Sequence, residues 1–323
     1  MIDEKEVLVH AGVSELHSLE EFYNHSPSPM NLASAAASVK IFIEEQLARQ
    51  HKVVCVTSGG TTVPLEKNMV RFLDNFSAGT RGATSTEYFL SLGYSVIFLH
   101  RKHSLQPFTR KFSPSVLSIF ELMEKSGDGK LELKDDEHLA DLQKDFDIYT
   151  ECLRNHRLLY LTYETLFDYL YMLRMLAVSM NPLGRNSMMY LAAAVSDFYI
   201  PSNQMAQHKI QSSSGPLNLT LERTPKLLGL IRDKWCPQVF LVSFKLETDP
   251  MILMEKARGS LTHYGINVVV ANLLHNRKDE VLLVSDDNEQ PLFRPKDDRD
   301  IERILCSELH LRHQAYSEID PLD

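Results

Sequence analysis

The residues most suited to chemistry in this chain are glycines that follow a short apolar run. Residues 53–60 read VVCVTSGG, which is typical of a buried parallel strand ended by a turn. Gly79 and Gly82 fall at the start of a helical pattern, where free N–H groups and the helix dipole favour phosphate. The stretch 53–82 therefore predicts a phosphate-binding edge, although Gly59 and its neighbour alone fit a plain turn equally well.

Polar side chains after the other apolar runs are further candidates, because open parallel sheets bind ligands beyond the carboxyl ends of their strands. Asp197 ends one such run, and it either accepts hydrogen bonds from a base or sugar or caps a turn. Lys209 lies in a polar loop, where it either reaches a triphosphate or is an ordinary surface lysine. The ends at 243–247 and 271–272 also combine small and polar residues.

Several familiar kinds of site are missing from the sequence. It contains no GxGxxG, GxxxxGK[ST], GxSxG or HExxH, which weakens dehydrogenase, P-loop kinase and common hydrolase interpretations. The four cysteines form no CxxC pair, so we predict structural roles for them and neither a zinc site nor a disulfide framework. His310 and His313 share a helical segment without a third ligand nearby, so we expect both to be solvated.

Charge and hydropathy narrow the class of partner. The 34 Lys and Arg residues against 43 Asp and Glu give a net charge of -9, which argues against nucleic acid as a partner. The start of the chain lacks the basic and apolar regions of a secretory signal. The apolar segment 161–180 is interrupted by Glu164, Asp168 and Arg174, which argues against a membrane span. We therefore expect a soluble, cytoplasmic protein.

Strands and helices alternate around the glycine stretch. The sequence predicts strands at 53–60, 94–101, 158–164, 188–198, 239–247, 268–273 and 280–286. Strand, glycine loop, helix and strand in succession indicate a βαβ unit. We predict a single α/β domain over 1–323, with a Rossmann-like three-layer fold and a mainly parallel sheet. Residues 1–50 are a helical lead-in, 102–157 an inserted segment, and 217–222 a strand of an antiparallel arm.

Five blocks of sequence together resemble the eukaryotic phosphopantothenate-cysteine ligases. They occur in the family's order between about residues 53 and 285 and read VTSGGTTVPLEKNMVRFLDNFSAGTRGATS, LAAAVSDFY, HKIQSS, SFKLETD and VVVANLL. The resemblance implies a ligase of coenzyme A biosynthesis that joins 4'-phosphopantothenate to L-cysteine. It also implies an acyl-adenylate intermediate made from ATP, with release of pyrophosphate and AMP, and Mg2+ held by the triphosphate rather than by the protein.

The resemblance also implies roles for individual residues. Asn75 matches an asparagine that holds the acyl-nucleotide intermediate, and Lys209 matches the first lysine of the bacterial KxKK motif, which steadies the phosphates as pyrophosphate leaves. Gln211 and Ser212 replace later lysines of that motif, as in other eukaryotic members, so ATP is favoured while CTP stays possible. The positions that match the nucleotide site are Gly59, Ser77, Gly79, Gly82, Ala193, Ala194, Asp197, Phe244 and Asn272.

Two arginines and the predicted arm are candidates for binding the second substrate and for assembly. Arg71 and Arg81 flank the glycine loop and are candidates for the phosphate of phosphopantothenate, unless they are simply solvated. The family is dimeric, and the arm at 217–222 is a candidate for a two-fold interface. Two rival functions stay open at this point: an NAD(P)-dependent Rossmann oxidoreductase, and a non-catalytic scaffold of the same fold.

Overall fold

The computed structural model describes residues 13–112, 119–134, 137–286 and 288–319. Its strands, in chain order, are β1 (Val53–Ser58), β2 (Thr62–Pro64), β3 (Phe72–Asp74), β4 (Ser95–Arg101), β5 (Met123–Lys125), β6 (Leu131–Leu133), β7 (Leu158–Tyr163), β8 (Ser187–Leu191), β9 (Phe198–Tyr199), β10 (Glu222–Arg223), β11 (Phe240–Glu247), β12 (Val268–Leu273), β13 (Glu280–Val284) and β14 (Glu289–Phe293).

Helices alternate with these strands. They are α1 (Val13–His25), α2 (Leu32–Ala48), α3 (Thr80–Ser91), α4 (Glu137–Arg154), α5 (Leu166–Met180), α6 (Leu228–Leu230, continued by a π-helical turn at Ile231–Trp235), α7 (Pro250–Tyr264) and α8 (Glu302–Glu318). Short 3-10 turns at Arg110–Phe112, Ile119–Leu122, Asn181–Asn186 and Ser212–Ser214 complete the connections. Among the described residues, no helix has the length and apolar content needed to cross a membrane.

Eight strands form one sheet in the order β14-β13-β12-β11-β8-β1-β4-β7. The six strands from β12 to β7 pair in parallel, whereas β13 and β14 pair antiparallel at one edge. Numbered by succession, the six parallel strands run 3-2-1-4-5-6 from the β7 edge, which is the Rossmann order. Chain connections therefore leave β1 and β8 in opposite directions, and a binding crevice is expected beyond these two strand ends.

Both faces of the sheet are covered by helices, which confirms the three-layer prediction. Val53 and Cys55 of β1 face a core packed by α2, α5 and α7, while Val54 and Val56 face a second core packed by α3 and α8. Every residue of β1 is buried, because a central parallel strand has no solvated face. Burial on both faces explains why the sequence of this strand is an unbroken apolar run.

The structure differs from the predictions at the margins of the sheet. The strand predicted at 188–198 ends at Leu191, and the last strand pairs with β14, which the sequence analysis missed. The arm is also shorter than predicted: most of 217–222 is irregular, and the antiparallel ladder consists of β9 and β10.

The lead-in is helical from residue 13, and residues 1–12 lie outside the described part. The inserted segment holds α4 and the β5–β6 hairpin, with 113–118 and 135–136 also outside the described part.

His313 is fully buried, so the expectation that it is solvated was wrong. Its Nδ1 lies 2.9 Å from the Tyr94 hydroxyl oxygen and its Nε2 lies 2.9 Å from the carbonyl oxygen of Arg185. Burial lowers the pKa of this imidazole to about 4, and the hydrogen bond with Arg185 opposes that shift only in part. The imidazole is therefore a neutral hydrogen-bonding group of the core between α8 and the sheet.

We predict that His313 makes the free energy of unfolding depend on pH below about 6.5. Between this pH and about 4 the unfolded chain protonates the imidazole while the native chain does not, so stability present at higher pH is lost as the pH falls. The loss from pH 7 to pH 5 should be roughly 2 kcal/mol. Urea unfolding at both pH values measures it. His313→Gln should lose less over this interval, and an equal loss in both proteins would contradict the assignment.

Candidate active site

The loops that follow β1 and β8 are tied together by backbone hydrogen bonds. The N–H of Ala194 donates to the carbonyl oxygen of Gly59 at 2.8 Å, and the N–H of Thr61 donates to the carbonyl oxygen of Ala194 at 3.0 Å. Ala193 is also attached to β1, because its N–H donates to the hydroxyl of Thr57. The glycine and alanine residues that the sequence analysis selected therefore lie next to each other at the ends of these two strands.

Thr61 connects these loops, and the sequence analysis, which selected the strand end at 58–61, assigned no role to Thr61 itself. Its carbonyl oxygen accepts a hydrogen bond from the N–H of Asn75 at 3.2 Å, and its hydroxyl accepts one from the N–H of Ser196 at 3.0 Å. Asn75 and the loop that carries Asp197 are therefore attached to two different atoms of one buried residue. A threonine directly after paired glycines at a strand end was the available signal.

The β2–β3 hairpin folds back over the β1 loop so closely that the loop must contain glycine. A Cβ on Gly60 would lie 1.7 Å from the carbonyl oxygen of Asn75, far inside van der Waals contact. The salt bridge from Arg101 at the end of β4 to Asp74 at the end of β3, 2.6 Å long, holds the hairpin from the other side. Asn75, directly after β3, is thereby kept against the glycine turn.

The glycines at the start of α3 have two different functions. Gly79 is the N-cap residue with a left-handed backbone (φ +84°), and its N–H points to the hydroxyl of Ser77 at 3.4 Å. Gly82 is buried one turn further on, where an added Cβ would lie 2.4 Å from the side chain of Ser58. Gly82 therefore permits close packing of helix on strand, as one glycine of Rossmann loops does. That packing brings the α3 amino terminus to the end of β1.

Phe244 and its neighbours form an aromatic wall beside the loops. Phe244, on β11, packs edge-to-face on Tyr190 of β8 with ring centroids 4.8 Å apart, and the guanidinium of Arg81 lies 5.6 Å from the Phe244 centroid. Asn272 lies on the next strand and is largely buried. A flat apolar ring beside an amide is suited to stacking against a base and hydrogen bonding its edge.

The two candidate arginines both have partners within the protein. Arg81 forms an ion pair with the buried Glu302 at 3.1 Å and donates to the carbonyl oxygen of Arg277 at 2.6 Å. Burial raises the pKa of Glu302, and the charge of Arg81 opposes the rise. Arg71 contacts Glu66 at 3.3 Å and keeps about a third of its side chain exposed. Arg81 is thus on the Phe244 side, whereas Arg71 is on the hairpin.

Asp197 is exposed and paired with a lysine that the sequence analysis did not select. Its carboxylate lies 2.8 Å from the Nζ of Lys226, and its side chain keeps 74% of its surface exposed. The N–H of Thr224 also donates to the Asp197 carbonyl oxygen, so the residues before α6 are held against the β8 loop. Lys245, at the end of β11, has a lowered pKa because burial disfavours its charge and Lys226 is near. Two lysines therefore accompany Asp197.

Lys209 lies in an irregular segment that runs beside the tip of the β2–β3 hairpin. Within the described ranges, its exposed ammonium group has neither an ion pair nor a hydrogen bond. The backbone near it is fixed, because Lys67 and Asn68 donate their N–H groups to the carbonyl oxygens of Ala206 and Gln207. The hairpin that ends at Asn75 thus also carries the segment of Lys209.

The structure gives little support to chemistry by a cysteine nucleophile or by a metal ion held by protein side chains. Cys55, Cys152, Cys236 and Cys306 are all buried free thiols, and burial raises the pKa of Cys55 and Cys152 to about 12 and of Cys236 to about 11. They are therefore poor nucleophiles. In the described part of the chain, no group of three His, Cys, Asp or Glu side chains is arranged to hold a metal ion.

Known proteins are similar to this chain in sequence. The chain is 46% identical over 304 residues to phosphopantothenate–cysteine ligase 2 of Oryza sativa subsp. japonica, covering 91% of this chain and 93% of the relative. It is 42% identical over 310 residues to the human phosphopantothenate–cysteine ligase, covering 94% and 98%. The chain belongs to the phosphopantothenate–cysteine ligase family.

Domain and structural comparisons agree with this family. The family model of the DNA/pantothenate metabolism flavoprotein C-terminal domain matches residues 172–310, from within α5 to α8. A solved structure of a Cab2 mutant in complex with phosphopantothenate-cysteine matches with a TM-score of 0.85 and 38% identity, covering 92% of this chain and 98% of that one. As a phosphopantothenate–cysteine ligase family member, the chain is an enzyme of coenzyme A biosynthesis, and the oxidoreductase alternative loses its basis.

Proposed function

We propose that this chain joins the carboxylate of 4'-phosphopantothenate to the amino group of L-cysteine, with ATP as the energy source. The observation that carries the proposal is the link through Thr61, which attaches Asn75 and the Asp197 loop to one buried residue in a chain of this family. A carboxylate is a poor electrophile, and an amine does not displace its oxygen. Activation by a nucleotide removes that obstacle.

The proposed reaction has two steps. An oxygen of the phosphopantothenate carboxylate attacks the α-phosphorus of ATP, and pyrophosphate leaves. Mg2+ bound to the triphosphate would neutralise part of the charge on this leaving group. The cysteine amine then attacks the acyl carbon and releases a proton to solvent, the acyl–oxygen bond breaks, and AMP leaves with that oxygen. Preorganised donors at the points where charge develops are the main contribution a protein can make to such steps.

Each site residue has a proposed part in these steps. The base packs on Phe244 beside Asn272, and the phosphates lie along the loop of Gly59, Ser77 and Gly79 at the amino terminus of α3. Gly82 belongs to this site through its packing on Ser58. The loop of Ala193, Ala194 and Asp197 closes the nucleotide site from the β8 side.

The two residues on the hairpin side act on the reacting groups. Asn75 offers an amide donor to the activated carboxyl group, and the ammonium of Lys209 neutralises charge on the departing pyrophosphate. Arg71 remains our candidate for the phosphate of phosphopantothenate because part of its guanidinium is exposed. Arg81 is a weaker candidate for that phosphate, because Glu302 already neutralises it.

An assay of ligation with single omissions tests this function. Pyrophosphate and 4'-phosphopantothenoylcysteine should form when the protein has phosphopantothenate, L-cysteine, Mg2+ and ATP, and the ligated product should disappear when any one is left out. CTP in place of ATP measures the nucleotide preference, for which we propose ATP. If no ligation occurs with either ATP or CTP, the result would support the scaffold alternative instead.

We also propose that the chain works as a single-domain homodimer in the cytoplasm. Hydrophobic side chains on and beside the β2–β3 hairpin, Val70, Phe72 and Phe76, are exposed, and we propose that they form an apolar surface of the kind found at interfaces between protein copies. Light scattering after gel filtration measures the assembly. A mass of one chain for the wild type, or an unchanged dimer in Phe76→Ser with Phe72→Ser, would exclude this interface.

A further inference from the structure

Glu66 is a buried carboxylate between two parts of the site, and the reaction proposed above gives it no role. It follows β2, and its side chain has no exposed surface. One oxygen accepts hydrogen bonds from the N–H groups of Val70 at 3.4 Å and Arg71 at 3.0 Å. The other accepts from the N–H of Ile210 at 3.3 Å and the guanidinium of Arg71 at 3.3 Å.

These hydrogen bonds connect two chain segments that are far apart in sequence. Val70 and Arg71 belong to the hairpin that leads to Asn75, whereas Ile210 directly follows Lys209. The guanidinium of Arg71 also donates to the carbonyl oxygen of Ile210 at 2.8 Å, so carboxylate and guanidinium hold both sides of that residue. Backbone bonds from Lys67 and Asn68 hold the earlier part of this segment, and Glu66 adds a second attachment at the residue after Lys209.

The contacts require a carboxylate rather than an amide. Burial by itself would raise the pKa of Glu66, but hydrogen bonds from the N–H groups of Arg71, Ile210 and Val70, with the charge of Arg71, hold it below its usual value. Every partner is a donor. The NH2 group of a glutamine would face N–H groups on one side and leave buried donors unsatisfied, which is costly.

We propose that Glu66 is a positioning residue of the ligase reaction, which sets the place of Lys209 and Arg71 relative to Asn75. This inference rests on the proposed roles of those residues. Glu66 itself touches no reacting atom. A shift of about 1 Å in a group that acts on a reacting centre can cost about 100-fold in rate, so a residue of this kind has a measurable effect without contacting substrate.

The test compares Glu66→Gln with Glu222→Gln in the full chain. Glu222 is an exposed carboxylate on β10 whose side chain bonds to Gln204, so it is the matched control. Amide hydrogen exchange of the folded proteins needs no substrate. For Glu66→Gln, exchange over 205–211 should become about tenfold faster, while β12 should be unchanged. Unchanged exchange over 205–211 would overturn the proposal.

A double-mutant cycle with Lys209→Gln supplies the catalytic readout. Glu66→Gln should lower kcat by about 10- to 100-fold with a small change in the KM for nucleotide, and the loss in the double variant should be clearly smaller than the product of the two single losses. Additive losses would show that Glu66 does not act through Lys209, against the proposal. If the wild type has no ligase activity, the proposed function fails, while the exchange result still decides whether Glu66 positions the segment.

Glu66→Asp guards against a glutamine variant that fails to fold. Aspartate keeps the charge and shortens the side chain by one methylene, so it should retain part of the hydrogen bonding. We expect the same changes in exchange and kcat with a smaller size. A folded Glu66→Asp with wild-type exchange over 205–211 and wild-type kcat, beside an unfolded Glu66→Gln, would assign Glu66 to stability alone and overturn the proposal.

Discussion

Asn75→Ala is expected to lower the rate of amide formation by about 100- to 1,000-fold, which is the loss seen when one donor to a developing oxyanion is removed. The backbone of Asn75 is fixed by Thr61 and its carbonyl oxygen lies against Gly60, so the fold at this position does not depend on the amide side chain. The base site at Phe244 and Asn272 is formed by other strands. Nucleotide affinity should therefore remain close to that of the wild type.

Single-turnover amide formation and nucleotide titration calorimetry together measure this prediction. Asn203→Ala is the matched control, because Asn203 is an exposed asparagine in the loop after β9. The control should retain full turnover. A wild-type rate in Asn75→Ala would remove Asn75 from the reaction, and a nucleotide affinity weakened as much as the rate would move it to the nucleotide site.

Lys209→Gln is expected to slow pyrophosphate formation by about 10- to 100-fold, because a charge-assisted contact to the leaving group is lost. The ammonium of Lys209 is exposed and without an ion pair among the described residues. Glutamine keeps most of the side-chain length and removes the charge. The first half-reaction should be slowed, and the attack of cysteine should be affected only through the smaller supply of intermediate.

Pyrophosphate release measured before cysteine is added isolates this step. Lys296→Gln, at an exposed lysine in the loop after β14, is the control for general charge effects and should behave as the wild type. If Lys209→Gln releases pyrophosphate at the wild-type rate, Lys209 is an ordinary surface lysine and the interpretation that the sequence left open is the correct one.

Much of the sheet was predictable from local pattern, because β1, β12 and the first four residues of β11 are largely buried on both faces and read as mainly apolar runs. The antiparallel edge of the sheet was harder to predict. β13 and β14 form an antiparallel pair, and an apolar run does not encode the direction of its neighbour. The short ladder of β9 and β10 depends on a loop of more than twenty residues between them, which leaves little local signal.

Burial of polar groups was the other point that local pattern missed. Helical spacing suggested a solvated His313, but a contact with Tyr94, 219 positions away, encloses it. Glu66 reads in the sequence as one more charged residue in a linker. Its burial depends on Ile210, 144 positions away. Such groups are recognised only when the donors around them are assembled by the tertiary fold.

The site was predictable to a different extent at each position. The rule that ligands bind at strand carboxyl ends selected Gly59, Asp197 and Asn272, and the structure arranges these strand ends along one edge of the sheet. The rule also selected 58–61, but it does not predict the role of Thr61, which acts through one backbone carbonyl and one hydroxyl. Gly82 was selected for phosphate, whereas its visible contact is the packing on Ser58.

We propose that ATP activates the carboxylate by forming a bond between a carboxylate oxygen and its α-phosphorus. Phosphopantothenate labelled with 18O in both carboxylate oxygens tests it directly in a complete ligation reaction. One labelled oxygen should appear in AMP and the other should remain in the amide of the product, as mass spectrometry would show. Unlabelled AMP, or 18O in released inorganic phosphate with ADP as the nucleotide product, would contradict the account.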